Sequence, residues 1–360
     1  MGRKDHKIAG LVVALLVLFS ACKKDSPGNN CCGTLPVKDS ENVYIVCEGQ
    51  YQVGDASLYL YNLKTDSVYG DIYKAVNGQA LGDIFQSMQL IGNNFFLCIN
   101  NSNKIVVINR NTWVLQGTIN IPQPRYVVAV SDTQAYVSSL YSKNVYVINP
   151  QTLAVKGTVV MPSQNPEGML AVNNNVYVCT WDTTTKNIYT IDATTNHIVQ
   201  TIPVAGYAPD EVLQDNEHKL WILSGNQADG RVAAFTQVDP TTGQVLKSMT
   251  FPAAANPIKA IIHNDTLYFI EADYNGGTQY NGIYRMSVTS ASLPTQAFIQ
   301  AQQNQYYYAL DIDPLGNIYV GDPKGFNQKG SVSIYHTDGT MFKQFSVGTG
   351  PGHFVFEFNN

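Results

Sequence analysis

The chain has 360 residues, only 14% of them charged, and a formal net charge of −5; asparagine, glutamine, threonine and 22 tyrosines carry its polarity. A surface so short of basic groups is no electrostatic match for nucleic acid. Its six cysteines include no CxxC pair and no Cys/His cluster with metal-ligand spacing, which excludes the common structural zinc modules as well.

At the N-terminus Arg3, Lys4 and Lys7 precede an apolar run, 8–19, that closes with Ser20-Ala21-Cys22. A charged start, a short apolar run and small residues before a cleavage point make residues 1–21 a secretory signal, and the run is too short to serve as a permanent membrane span. The stretch LFSAC resembles the bacterial lipobox, with Phe19 in place of the more usual leucine, so Cys22 is expected to carry lipid. The alternative is an ordinary cleaved signal that leaves Cys22 free. Residues 22–40 are polar, rich in Gly, Pro and Asn, and without hydrophobic period; they are expected to form a flexible tether to a folded domain over 41–360. Their opening, CKKD, resembles the start of surface-exposed lipoproteins of the Bacteroidetes, which implies an outer-membrane protein on the cell surface, held to the membrane by its lipid alone. Cys31 and Cys32 are vicinal in the tether, where a disulfide remains open to them in an oxidising compartment. Cys47, Cys98 and Cys179 fall inside strand-like apolar runs and are expected to be buried free thiols.

Beyond the tether the chain repeats itself. KIVVINRNTWVLQGTINIP (104–122) and NVYVINPQTLAVKGTVVMP (144–162) place Asn109 and Asn149 40 residues apart. With the landmark defined as a strand that ends in Asn or Asp before a short turn, Asn62, Asn109, Asn149, Asp192 and Asp239 all fit, at spacings of 47, 40, 43 and 47. Two further copies follow, in which the polar position drifts to Ser287 and Thr337. Residues between landmarks alternate with the strand period, and helical periodicity is nowhere sustained. Four short strands per unit and a period of about 40–50 residues predict an all-β chain folded as a seven-bladed β-propeller.

Each landmark after the first is preceded by a candidate innermost strand: 86–90, 125–130, 167–172, 210–213, 258–262 and 307–312. The first landmark lacks one upstream. A matching strand stands at the very end, 350–356, so the C-terminal strand is expected to complete the first blade and leave no open edge. The motif YVINPQTLAVKGTV resembles the YVTN repeats of YncE-like propellers, a resemblance that covers nearly the whole mature chain and speaks to architecture.

In such a ring the starts of the inner strands share a face with the loops between second and third strands. The opposite face carries tight turns such as 130–134, 149–152 and 172–175. The first face carries the long loops EGQYQVGDAS, SGNQADGR, EADYNGGTQYNG and GDPKGFNQKG, and binding is expected there. Inner strands bring Gln86, Arg125, Glu167, Asp210, Lys259, Tyr307, Tyr308 and His353 to its rim, joined by the aromatics Tyr51, Phe85, Tyr126, Trp181, Tyr207, Tyr274, Tyr280, Tyr306 and Phe326. Flat apolar area with scattered hydrogen-bonding groups suits a large amphipathic ligand. The alternative for any one of these residues is that it keeps a solvated rim soluble.

An enzyme would need a constellation, and Glu167, Asp210 and His353 are the available acid, base and orienter, but no motif joins them. No phosphate loop, nucleophile elbow or metal motif is present, so no cofactor is expected, and DYNGG lacks the further acidic ligands of a calcium loop. The order Asn77-Gly78, Leu81-Gly82-Asp83, Gln86-Ser87-Met88 and Asn101-Ser102-Asn103-Lys104-Ile105 resembles the BtuG-like lipoproteins of Bacteroidetes. Those are seven-bladed surface propellers that capture cobalamin and hand it to a TonB-dependent transporter; the resemblance implies a cobalamin-like corrinoid as ligand and such a transporter as partner. The matching pieces cover about a tenth of the chain, and some are expected to serve the blade turn. A non-enzymatic binding protein is therefore the expectation. The second reading is an accessory propeller that binds protein or glycan in an outer-membrane complex.

Overall fold

A computed structural model describes residues 41–226, 231–253, 255–272, 281–303 and 305–358. The expectations for residues 1–40, including the signal, the lipidated Cys22 and Cys31-Cys32, lie outside it, as do those for Tyr274, Tyr280 and residues 227–230. Seven four-stranded antiparallel sheets form the ring. Their innermost strands are Pro351–Glu357 in the first blade, then Phe85–Ile91, Pro124–Ser131, Pro166–Val172, Pro209–Gln214, Pro257–His263 and Ala309–Ile312. The second blade shows the common order, from Phe85–Ile91 outward through Asn94–Ile99 and Lys104–Asn109 to Leu115–Asn120.

The ring closes as the repeat count requires. Asn42–Cys47 pairs on one side with Ser57–Asn62 and on the other with Pro351–Glu357, with Val43 opposite Phe356 and Ile45 opposite Phe354. Seven apolar clusters then fill the seven gaps between neighbouring blades. Between the fifth and sixth, Phe235 meets Phe269 edge-on at 5.3 Å. Each blade thus buries both faces, which none could do alone. Cys47, Cys98 and Cys179 are free and buried in these layers, and burial pushes their thiols well above the ordinary range. One short α-helix among the described residues, Ile72–Asn77, links the first two blades; its six residues are too few to show a period.

The repeated Asn or Asp is explained by the turn it ends in. The Asn149 carboxamide oxygen accepts from the backbone of Gln151 at 2.9 Å and Thr152 at 3.1 Å. Asn109, Asp192 and Asp239 make the same two bonds, and Asn62 makes the second, to Thr65. The side chain replaces the ladder partners that the chain loses as it turns. In the sixth blade Ser287 takes the part, accepting from Thr289. The seventh corrects the sequence reading: Asp338, not Thr337, accepts from Thr340. Asn149→Ala removes both bonds and is expected to cost about 1–2 kcal/mol in a denaturant titration; an unchanged midpoint would show that the turn holds without them.

Candidate functional site

Five inner strands open with proline, at Pro124, Pro166, Pro209, Pro257 and Pro351. At a strand's first position proline forfeits no ladder bond. Just past it the register slips: the irregularity falls at Gln86, Arg125-Tyr126, Glu167-Gly168, Asp210, Lys259-Ala260 and Gly352. A bulge re-aims side chains that strict alternation would send into the sheet faces. The polar residues of neighbouring blades consequently meet around the mouth of the channel.

Arg125 is the hinge of that meeting. Its Nε lies 2.9 and 2.8 Å from the two oxygens of Glu167, a terminal nitrogen also pairs with Glu167, and the other donates to Gln86. The Gln86 amide in turn lies 3.5 Å from the Tyr126 hydroxyl. Across the mouth Tyr308 donates to Glu48 at 3.1 Å, and the Lys259 ammonium stands 5.6 Å from the centre of the Tyr308 ring. Glu211 accepts from the Ala260 backbone at 2.5 Å, linking the fifth blade to the sixth. Glu48 reaches the mouth because Gly352 has no side chain: a Cβ there would lie 2.4 Å from its carboxylate.

Burial sets the electrostatics. It pushes the Asp210 carboxyl up to about 8, helped by the charges of Glu167 and Glu211, and the Asp311 carboxyl up to about 7. Glu48 and Glu211 are raised by the same cause, partly offset by Lys259. His353 is pushed down to about 4 by burial and then by the Lys259 charge, so its ring is neutral. Burial opposes the Lys259 charge, yet Tyr126, Tyr308, Glu211 and Glu48 together raise its pKa. Lys259 is also the axial cation with no hydrogen bond or ion pair to its ammonium among the described residues.

The aromatics sort into three groups. Tyr51 (63% exposed) and Trp181 (37%) stand free on the loop face. Tyr207 lies under the Lys186 ammonium at 4.4 Å, while Tyr306 stacks on Tyr308 at 6.3 Å and Phe326 meets Tyr308 edge-on at 4.9 Å. Two expectations are corrected: Tyr307, 1% exposed, turns into the layer between sixth and seventh blades and meets the Tyr335 hydroxyl at 3.1 Å, and Phe85 is fully buried against the first blade. Both alternate with an axial neighbour, Tyr308 and Gln86. Sequence reasoning missed Glu48, Glu211, Asp311 and the 80%-exposed Tyr141. The recurring proline that opens PRY, PEG, PDE and PIK is the signal that could have marked Glu211.

The pieces of the BtuG-like motif brace this face. The Asp83 carboxylate accepts from the backbone of Gln52 at 3.0 Å and from Asn101, and the Asp83 backbone donates to Ser102 at 2.9 Å. They fasten the loop that carries Tyr51 to the second blade. Asn77 instead ties the helix end to Leu115 and Trp113 in the blade turn.

Fold and site together define a seven-bladed propeller with a buried, charge-paired axial mouth under an aromatic loop face. The chain belongs to the DUF5074 family, described as a domain of unknown function, whose model matches residues 41–356. A comparison with curated proteins finds no match. Among solved structures it is similar to a quinonprotein alcohol dehydrogenase-like protein from Bacteroides thetaiotaomicron, at 13% identity over 88% of this chain and 78% of that one, with a TM-score of 0.67. Hydrazine synthase of Kuenenia stuttgartiensis gives 15%, 74%, 87% and 0.64 in the same order, and apo AztD from Citrobacter koseri 9%, 88%, 98% and 0.59. At these identities the likeness is one of fold.

Glu167→Ala strands the Arg125 guanidinium, 16% exposed, and is expected to cost about 3 kcal/mol by denaturant unfolding; a loss below about 1 kcal/mol would show that water pairs it equally well. Asp210 binds its proton more readily folded than unfolded between its ordinary value of 3.8 and about 8. Its contribution to stability is therefore full below that window and lost as the pH rises through it. Asp210→Asn is expected to gain stability over the parent above pH 8 and to lose that gain in acid; parallel stability curves would overturn the assignment.

Proposed function

We propose that this protein is a lipid-anchored binding protein of the cell surface, which takes a large amphipathic ligand on the loop face of its propeller. The ligand is a cobalamin-like corrinoid, as the BtuG resemblance implies, and the acceptor a TonB-dependent transporter. One observation carries the reading: exposed Tyr51, Tyr141 and Trp181 share a face with Lys259, whose ammonium is unpaired among the described residues.

In this reading the aromatics supply contact area and Lys259 meets an anionic or carbonyl oxygen of the ligand, such as a nucleotide phosphate. Asp210, held protonated at neutral pH, donates to a ligand amide, and Tyr126, Tyr306 and Tyr308 line the approach. Arg125, Gln86 and Glu167 act by holding one another, so the mouth is preorganised and the ordering cost of binding falls. A binding role is supported by the commitment of Glu167, one of the three candidate catalytic groups, to Arg125. Cys22 supplies the anchor and residues 23–40 the tether.

The test is a calorimetric titration of the chain from Gly33 with cyanocobalamin and with cobinamide, which lacks the nucleotide. One-to-one binding is expected, weakened at least tenfold, about 1.4 kcal/mol, by Trp181→Ala. Lys259→Met is expected to weaken cyanocobalamin more than cobinamide. No heat with either ligand would overturn the corrinoid reading, and binding to glycans or to an outer-membrane protein would then support the accessory role.

A further inference from the structure

A second concave site lies on the flank of the ring, between the fifth and sixth blades. It is a cleft of about 640 Å³ lined chiefly by Met249, Phe251, Pro252, Glu271, Tyr284 and Leu293. It exists because the outermost strand of the sixth blade shrinks to Ile299–Gln300, where the fifth blade has Val245–Thr250. The connection that replaces it, 288–298, runs beside the fifth blade instead. Lys247 holds it there, donating to the carbonyls of Val288 at 3.3 Å and Ser290 at 2.8 Å. The inter-blade layer is therefore left open to one side.

The wall of this cleft contains one group that the fold does not explain. Glu271 ends the second strand of the sixth blade and is 4% exposed, and its buried Oε2 has no hydrogen-bond partner among the described residues. No hydrogen bond or ion pair reaches its other oxygen among the described residues. Leaving a buried acceptor unmade costs about 1–3 kcal/mol, more when it is charged, so such a group is a stability liability unless something pairs with it. Burial alone pushes its carboxyl up to about 7, with no neighbouring charge contributing. Lys247, the nearby base, spends its ammonium on the two carbonyls and on the Trp221 ring at 5.8 Å.

An apolar cleft of ligand-pocket size with a single buried acceptor selects a compact molecule that has an apolar body and one cationic donor. We propose that the flank cleft is a second binding site, which takes a primary amine with an apolar body, its ammonium on Glu271 and its body against Met249, Phe251 and Leu293. Ser248, Thr250, Ser292 and Thr295 add hydroxyls to its lining. The site shares no residue with the axial mouth, so its fate is separate from that of the axial ligand.

The probes are 2-phenylethylamine and its uncharged analogue 2-phenylethanol, titrated at millimolar concentration into the mature chain in mildly alkaline buffer and followed by ligand-observed NMR. The amine is expected to bind at least tenfold more tightly than the alcohol. Glu271→Gln is expected to remove at least tenfold of the amine affinity and to leave the alcohol unchanged. Glutamine keeps the shape and removes an unpaired charge, so that variant should unfold no lower than the parent. A second variant, Ser292→Trp, fills the cleft from an exposed position and is expected to displace both probes while Glu271 stays in place. Equal affinity for amine and alcohol, an amine affinity unchanged by either variant, or no binding of the amine would overturn the proposal.

Discussion

The structure depends on one antiparallel pairing, that of Asn42–Cys47 with Pro351–Glu357. Every other sheet pairing joins strands that are neighbours in sequence; this one spans the whole domain. It converts an open array with two exposed edges into a closed ring, and only in the closed ring do the first and seventh blades bury their facing sides. The register is held at its far end by Glu357, which accepts from the Tyr44 hydroxyl at 2.8 Å and from Arg110 Nε of the second blade at 2.7 Å. The same strand delivers Gly352 and His353 to the mouth. Closure and site construction are thus a single event.

The axial mouth shows how a propeller tolerates charge at its centre. Seven inner strands converge there, and five carboxylates (Glu48, Glu167, Asp210, Glu211, Asp311) face two permanent cations, Arg125 and Lys259. Such an excess is disfavoured in its fully ionised form where Glu48 and Glu167 are buried and the other three carboxylates are partly buried. The structure resolves it by two means: Glu167 takes a two-pronged bond from Arg125, and Asp210 and Asp311 are driven toward their protonated forms. The arrangement is rigid because its members hold one another across blades.

The architecture was legible in the sequence because every blade solves the same local problem. A strand that turns back needs acceptors for two backbone donors, and Asn or Asp at one position supplies them, which is why that position recurs. The deviation at Asp338 follows from the same chemistry, since any nearby carboxylate oxygen serves equally well. Side-chain direction at the mouth was only half legible. Alternation separates Tyr308 from Tyr307, but it fails at the two-residue bulge of the third blade, where Arg125 and Tyr126 both reach Gln86 at the axis. Glu48 was invisible because its place depends on a missing side chain at residue 352, distant in sequence. The flank cleft was invisible for a related reason: it arises from the shortness of one outer strand, which no residue pattern announces.

The charge balance bears on what the loop face can hold. With Arg125 paired to Glu167 and Asp210 and Asp311 driven toward neutrality, the mouth offers hydroxyls, amides, protonated carboxyls and, among the described residues, one ammonium without a hydrogen bond, rather than a strong field of either sign. Such a site rewards a ligand with many neutral hydrogen-bonding groups and little net charge, and it penalises a polyanion, whose desolvation Lys259 alone could not repay. The exposed aromatics above it favour breadth and flatness in the same ligand. Breadth in the aromatic layer and near-neutrality in the mouth beneath it are thus two consequences of one closed ring, the first set by its loops and the second by its inner strands.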